Sequence, residues 1–231
     1  MKNYEWVELP SKGRCYPIDS PLRDGRVKVE YLTAMDENIM FSHKLRSENI
    51  VCSTLLKKKV LGDFDVLQLC SGDKEAIVLW IMKENYGNIY NIPNSQDSVN
   101  LDNIKYKEIL FECDDNGYFT YITENDDKII YRLLPFQDEE ELIRKVTDET
   151  VNNDKISMEE IYVNFAKKIL SKMIVSINNM NDEEILRSWF ENISYDTLHS
   201  FQTYVTDNSP GLDLKTTNGL VFDDTIFFNI K

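Results

Sequence analysis

The chain predicts an α+β protein: a helical body with a small antiparallel β-sheet insertion and a C-terminal β-hairpin. Three observations carry that expectation. Apolar residues recur at helical spacing on both sides of the middle of the chain. Between 88 and 134 the pattern switches to alternation around Asp114-Asp115-Asn116-Gly117, a strong short hairpin signal. The tail from Leu212 to Lys231 alternates again around Thr216-Thr217-Asn218-Gly219. The expected organisation is an extended N-terminal arm over 1–24, then a strand and helical part over 25–87. A small β-sheet region follows over 88–134, then a helical part over 135–208 and the hairpin over 209–231.

Each element has a local reason. Pro10, Gly13, Pro17 and Pro21 interrupt regular structure in the first 24 residues. Val27, Val29 and Tyr31 share one face of a strand over 26–32. Thr33 then offers a capping oxygen with Asp36 three residues on, opening a helix that carries Met35, Ile39, Met40 and Leu45. A second helix holds Ile50, Val51, Leu55 and Leu56. It ends in Lys57-Lys58-Lys59, where cations complement the helix dipole. A third runs from Ser71 to Tyr86, apolar on more than one stripe, with Gly87 as its left-handed cap. Runs at Ile109-Leu110-Phe111, Tyr118 to Ile122 and Ile129 to Leu134 read as strands. Beyond Pro135 the chain is helical: an acidic helix over 137–149, one capped by Ser157 and Glu160 that carries Phe165, Ile169 and Met173, one capped by Asn181, and one opened by Ser194.

A length of 231 residues suits one large domain or two small ones. The net charge of −14 argues against a protein that grips nucleic-acid phosphates. The charge is uneven: residues 1–70 hold eleven Lys/Arg against ten Asp/Glu, and the remainder fifteen against thirty. An acidic body of this kind is a solvated surface or one side of a charge-complementary contact between subunits. The longest apolar run, Ala76 to Met82, is far short of the ~20 residues a membrane span needs. The start of the chain lacks the apolar region of a secretory signal, so a cytoplasmic protein is expected.

Catalytic chemistry finds no foothold. There is no Gly-x-Ser-x-Gly, no phosphate-binding loop and no His-Glu-x-x-His. Cys15, Cys52, Cys70 and Cys113 are scattered and share no ligand spacing with His43 or His199. A hydrolase with a dispersed site from Cys52 or Cys70 and His43 is the one enzymatic alternative. Asp114-Asp115 and Asp126-Asp127 fall in turns, where carboxylates bond the local backbone, and Glu139-Glu140-Glu141 falls in a first helical turn. No catalytic residue, cofactor or metal is expected. Trp80 and Trp189 fall on helical stripes. Tyr4 and Trp6 have no stripe to join, so they anchor an interface or fold back on their own domain.

One resemblance can be given on specific residues. The run Glu8-Leu9-Pro10-Ser11-Lys12-Gly13, then Tyr16-Pro17, Ser20-Pro21-Leu22 and Tyr31-Leu32-Thr33-Ala34-Met35-Asp36-Glu37, resembles the baseplate hub subunits and baseplate assembly proteins of T-even-type (T4-like) contractile bacteriophages. Similar segments continue at Gly72-Asp73-Lys74-Glu75-Ala76-Ile77, Tyr86 to Tyr90, Tyr131 to Pro135 and Met173 to Asn178. Relatives often carry Cys-x-x-Cys zinc pairs that this chain lacks, so the resemblance brings no metal with it.

What the resemblance implies is a non-enzymatic structural component of a contractile tail baseplate, in the hub or its immediate surroundings. The alternative is an assembly chaperone absent from the mature virion. The implied partners are other baseplate and tail proteins, with self-association as a further possibility and neither nucleic acid nor membrane. The implied location is the virion, after assembly in the host cytoplasm. On this reading the arm packs against a neighbouring subunit through Tyr4, Trp6, Leu9, Pro10 and Tyr16.

Overall fold

The computed structural model describes residues 3–48, 50–92, 97–107, 112–151 and 167–214. It is a mixed α and β chain with several small antiparallel sheets, arranged in two compact units. The first unit comprises Met1–Arg14, Asp19–Ile109 and Pro210–Lys231; the second comprises Cys15–Ile18 and Leu110–Ser209.

In the first unit, β1 (Tyr4–Glu8) pairs antiparallel with β2 (Arg26–Glu30), and β3 (Val60–Leu61) flanks β2 on the other side. Val7, Val27 and Val29 point to one face and are buried, as strand alternation requires. The helix expected from Thr33 to Leu45 is two short ones, α1 (Glu37–Met40) and α2 (His43–Ser47). Ser42 causes the break: its hydroxyl accepts the Leu45 N–H at 3.3 Å and starts a new helix there. Next come α3 (Val51–Lys59) and α4 (Ser71–Tyr86). The residues Ala76 to Leu79, Ile81 and Met82 of α4 are all buried, so this helix is covered on more than one side. Gly87 does take a positive φ of 91°, but its ψ of 177° is extended rather than left-handed helical.

Close packing fixes the start of α4. A Cβ on Gly72 would stand 2.0 Å from the Pro210 carbonyl oxygen, so the chain entering β10 (Gly211–Asp213) rides directly on that turn. The partner of β10 is β6 (Lys105–Lys107), and β4 (Ile89–Asn91) forms a separate hairpin with β5 (Ser98–Asn100). The region expected as one sheet over 88–134 is therefore divided between the two units.

The second unit holds β7 (Phe119–Ile122), β8 (Lys128–Tyr131) and β9 (Ile174–Ile177) in that order. Helical periodicity through Met173 hid β9, yet Ile174-Val175-Ser176-Ile177 is rich in β-branched residues and pairs with β8. Residues 167–173, just before it, are helical. Tyr131 and Phe201 form the core, with ring centroids 5.4 Å apart at 83°, and Tyr121 and Tyr204 pack around them. Asp127 is more than a turn residue: its carboxylate accepts from the Trp189 indole at 3.1 Å and the Asn178 amide at 2.8 Å. The helix α5 (Phe136–Val151) follows the predicted acidic pattern. Asp182, one residue after the expected cap, starts the helix Glu183–Asn192, and Ser194 caps Tyr195–Asn208 as its sequence suggests.

The expected arm over 1–24 is not one extended element. Residues 4–8 are a sheet strand, and Pro21–Asp24 is a short 3-10 helix. Between them, Cys15–Ile18 joins the second unit, where the Ile18 N–H donates to the Asp115 carbonyl at 2.8 Å. The physical reason is backbone pairing: Tyr4 to Glu8 match Glu30 to Arg26 residue for residue. The strand at 109–111, the capping box at Ser157 and the turn at 216–219 lie outside the described residues. Among those described, no helix is long and apolar enough to cross a membrane.

A buried ion pair ties β2 to α3. Asp36 is fully buried; one carboxylate oxygen accepts from the Thr33 N–H at 2.7 Å and the Thr33 hydroxyl at 2.8 Å. Lys59, only 3 % exposed, stands 2.7 Å from the same oxygen and donates to the Tyr31 carbonyl at 2.9 Å. The half-exposed Lys58 stands 2.7 Å from the other oxygen. So Lys58 and Lys59 do more than face a helix dipole. Burial acts to raise the Asp36 pKa, but Lys58, Lys59 and Thr33 together hold it well below the ordinary carboxylate range.

An unfolded aspartate titrates near about 3.9, so on acidification the unfolded chain takes its proton before the folded one. The stabilisation from Asp36 is full above about pH 4 and drains away as pH falls toward the depressed folded value. Asp36→Asn leaves the buried Lys59 cation with only the part-exposed Glu30 carboxylate, 4.0 Å away, and is expected to cost about 3 kcal/mol at pH 7. Urea unfolding of both proteins at pH 7 and pH 2 checks this. The gap is expected to shrink at pH 2, and a gap of equal width refutes the assignment.

Candidate functional site

The segment Leu9 to Gly13 is a pair of consecutive turns. Leu9 is 1 % exposed and its carbonyl accepts the Lys12 N–H at 2.9 Å, with Pro10 in the second position that a fixed φ favours. The Ser11 carbonyl then accepts the Arg14 N–H at 3.0 Å across Lys12 and Gly13, whose φ values are 50° and 77°. Two left-handed residues in succession make a primed turn, which glycine tolerates best. Space is as restrictive as φ here: a Cβ on Gly13 would lie 2.2 Å from the Arg23 carbonyl oxygen.

Ser11 locks this double turn to α4. Its backbone N–H donates to one oxygen of Asp73 at 2.9 Å and its hydroxyl donates to the other at 2.6 Å. The hydroxyl oxygen in turn accepts the Gly13 N–H at 3.0 Å. Ser11 and Asp73 are both fully buried. Asp73 also sits in the first turn of α4, where a carboxylate meets the positive end of the helix dipole.

With that turn in place, the outward face of the three-stranded sheet is set by alternation. Tyr4, Trp6 and Glu8 of β1 face the same way as Arg26 and Lys28 of β2 and Leu61 of β3. The Arg26 guanidinium lies 4.7 Å from the Trp6 ring centroid, and the Lys28 ammonium 5.0 Å from Trp6 and 5.3 Å from Tyr4. Each such contact is worth about 0.5–1 kcal/mol at an exposed site, enough to orient the cations over the rings. A groove of about 260 Å³ runs beside them, lined by Tyr4, Trp6, Lys28, Leu61 and Phe64, with Asp24 and Asp63 among its acidic margin. Trp6 remains 48 % exposed. This is an apolar, cation-bearing surface suited to binding another protein, since half-exposed Trp and Arg dominate such contacts.

Of the five residues expected to contact a partner, the structure places only Tyr4 and Trp6 on this face. Leu9 and Pro10 are buried in the double turn, and Tyr16 is buried in the second unit. Arg26, Lys28, Leu61 and Phe64 were missed. The signal for Lys28 was present, because Val27 and Val29 pointing inward turn it outward. Nothing in the sequence marks Leu61 and Phe64 as its neighbours.

The remaining candidates have structural settings. Cys52 and Cys70 are buried, while His43 is exposed. His199 stacks on Tyr195 with centroids 6.0 Å apart. Asp114 accepts the N–H groups of Asn116 and Tyr118 at 2.9 and 2.8 Å, which is the local role its turn position predicts.

No known family model matches the chain, and no curated protein or solved structure matches it either.

Gly13→Ala tests the turn. Left-handed strain and the overlap with Arg23 together are expected to cost at least about 2 kcal/mol. A denaturant midpoint unchanged from the parent protein would show that the turn has other ways to relax.

Proposed function

We propose that this chain is a non-enzymatic structural component of a contractile phage tail baseplate, in the hub or beside it, acting through protein–protein contacts. The observation that carries the reading is spatial. Segments that resemble the T-even-type baseplate proteins, far apart in sequence, are joined by hydrogen bonds in the first unit. Leu9-Pro10-Ser11-Lys12-Gly13 meets Gly72-Asp73 through the two Ser11 donors. Thr33 meets Asp36 within its own segment, through both its N–H and its hydroxyl. Residues that share one structural task in this way are what a resemblance of fold would retain. The chain belongs, on this reading, to the α+β class, is made in the host cytoplasm and ends in the virion.

The contact surface proposed for tail partners is the groove between Trp6 and Phe64. It is apolar at its centre, bears Lys28, and lies in the near-neutral third of an otherwise acidic chain. Deleting residues 1–24 is a poor test, because it removes β1, Leu9 and Ser11 along with any docking residue. Leu61→Ala with Phe64→Ala alters the groove and leaves the double turn intact.

The expected result is that the full chain captures one or more tail proteins from an infected-cell extract, and that the double variant loses at least one while keeping its unfolding free energy within about 1 kcal/mol of the parent. An unchanged partner list overturns this docking surface. Protein composition of purified virions decides the role itself: absence of the chain from mature particles would replace the structural reading with that of an assembly chaperone.

A further inference from the structure

The edge of the first sheet carries an inference that goes beyond the baseplate reading and does not depend on it. Among the described residues, strand order makes β1 an edge strand. The Leu9 N–H donates to the Gly25 carbonyl at 2.8 Å and the Tyr31 N–H to the Asn3 carbonyl at 3.1 Å. Bonded pairs therefore fall at the odd positions of β1. The alternating ladder leaves the N–H and C=O groups of Tyr4, Trp6 and Glu8 pointing away from β2. Those three residues have no backbone partner on that side among the described residues. This edge has no proline, no bulge and no lysine on the strand, so of the usual devices that discourage pairing it keeps only the charges of Glu5 and Glu8.

We propose that β1 pairs with β1 of a second copy of this chain, antiparallel across a two-fold axis at Trp6, joining two three-stranded sheets into one of six. The register selects the occupant. An open edge of Tyr4, Trp6 and Glu8 is its own complement when Trp6 opposes Trp6 and Tyr4 opposes Glu8, and only that register pairs the whole five-residue strand. Charge is compatible with the same arrangement. Lys28 lies over the Tyr4 ring and is in no ion pair among the described residues; Glu8, at the other end of the strand and opposite Arg26, is likewise in none among them, while Glu30, opposite Tyr4, stands 4.0 Å from Lys59. The two-fold brings the Glu8 of one copy beside the Tyr4 of the other, and so within reach of its Lys28. By symmetry this occurs twice. The two Trp6 rings meet at the axis, where a large half-exposed aromatic is best covered. Residues 1–70 are close to neutral, so the contact sits where self-repulsion of a chain at −14 is weakest.

The purified full-length chain tests this without any phage component. Sedimentation equilibrium is expected to show a monomer–dimer equilibrium. Hydrogen exchange is expected to show protection of the Tyr4, Trp6 and Glu8 amides that rises with protein concentration, while the Glu5 and Val7 amides stay protected throughout. Glu8→Lys and Lys28→Glu are each expected to weaken the dimer about tenfold, the usual scale of a charge pair at a contact. The double exchange, Glu8→Lys with Lys28→Glu, is expected to restore it. Three outcomes overturn the proposal: a monomer at every concentration, a dimer indifferent to both single variants, and edge amides protected only when a tail-protein extract is added. The last would assign the edge to a different chain. The baseplate reading stands or falls separately, on the protein composition of purified virions.

Discussion

A single buried carboxylate holds the N-terminal architecture in place. Asp73 receives both donors of Ser11, and through them a double turn that places Lys12 and Gly13 in left-handed geometry. The turn has its own backbone bonds, Lys12 N–H to the Leu9 carbonyl and Arg14 N–H to the Ser11 carbonyl, but only Asp73 ties it to a helix. With that anchor, the chain leaving β1 is sent back through Gly25 toward β2 in register, and the outward face of the sheet follows. The anchor is efficient because Asp73 is already favoured at the start of α4 by the helix dipole. Its oxygens are then consumed by hydrogen bonds that shorten and strengthen away from water.

The second buried carboxylate works differently. Asp36 is matched by a full charge, Lys59, as well as by Thr33. Such a pair contributes little net stability over an apolar alternative, but it is costly to break on one side only. Its effect is therefore to specify: Lys59 also bonds the Tyr31 carbonyl, so the last residue of α3 is tied to the chain just beyond β2. The first unit uses one carboxylate for shape and the other for register.

Much of the fold was legible in local chemistry. The limits of α4, the inward valines of β2, the caps at Ser194 and the acidic start of α5 all follow from spacing and side-chain type. What was not legible depends on contacts between distant residues. The break at Ser42 competes with a continuous apolar stripe, and β9 competes with helical periodicity that runs up to Met173. The double turn reads in the sequence only as an interruption, because the role of Ser11 is set by a residue 62 positions away. The candidate face was half visible. Tyr4, Trp6 and Lys28 could be found from alternation, but Leu61 and Phe64 join them only through the short pairing of β3 with β2.

The first unit is assembled from three stretches of chain, and the last of them contains β10, lying on Gly72 and pairing with β6. This has a consequence for synthesis on the ribosome. Residues 110–209 emerge in full before Gly211–Asp213, so the second unit has all its residues while the first still lacks a strand. Until then β6 and the first turn of α4 wait uncovered. Closing the first unit is a long-range event that waits on Gly211–Asp213, and until those residues emerge that strand edge stays open.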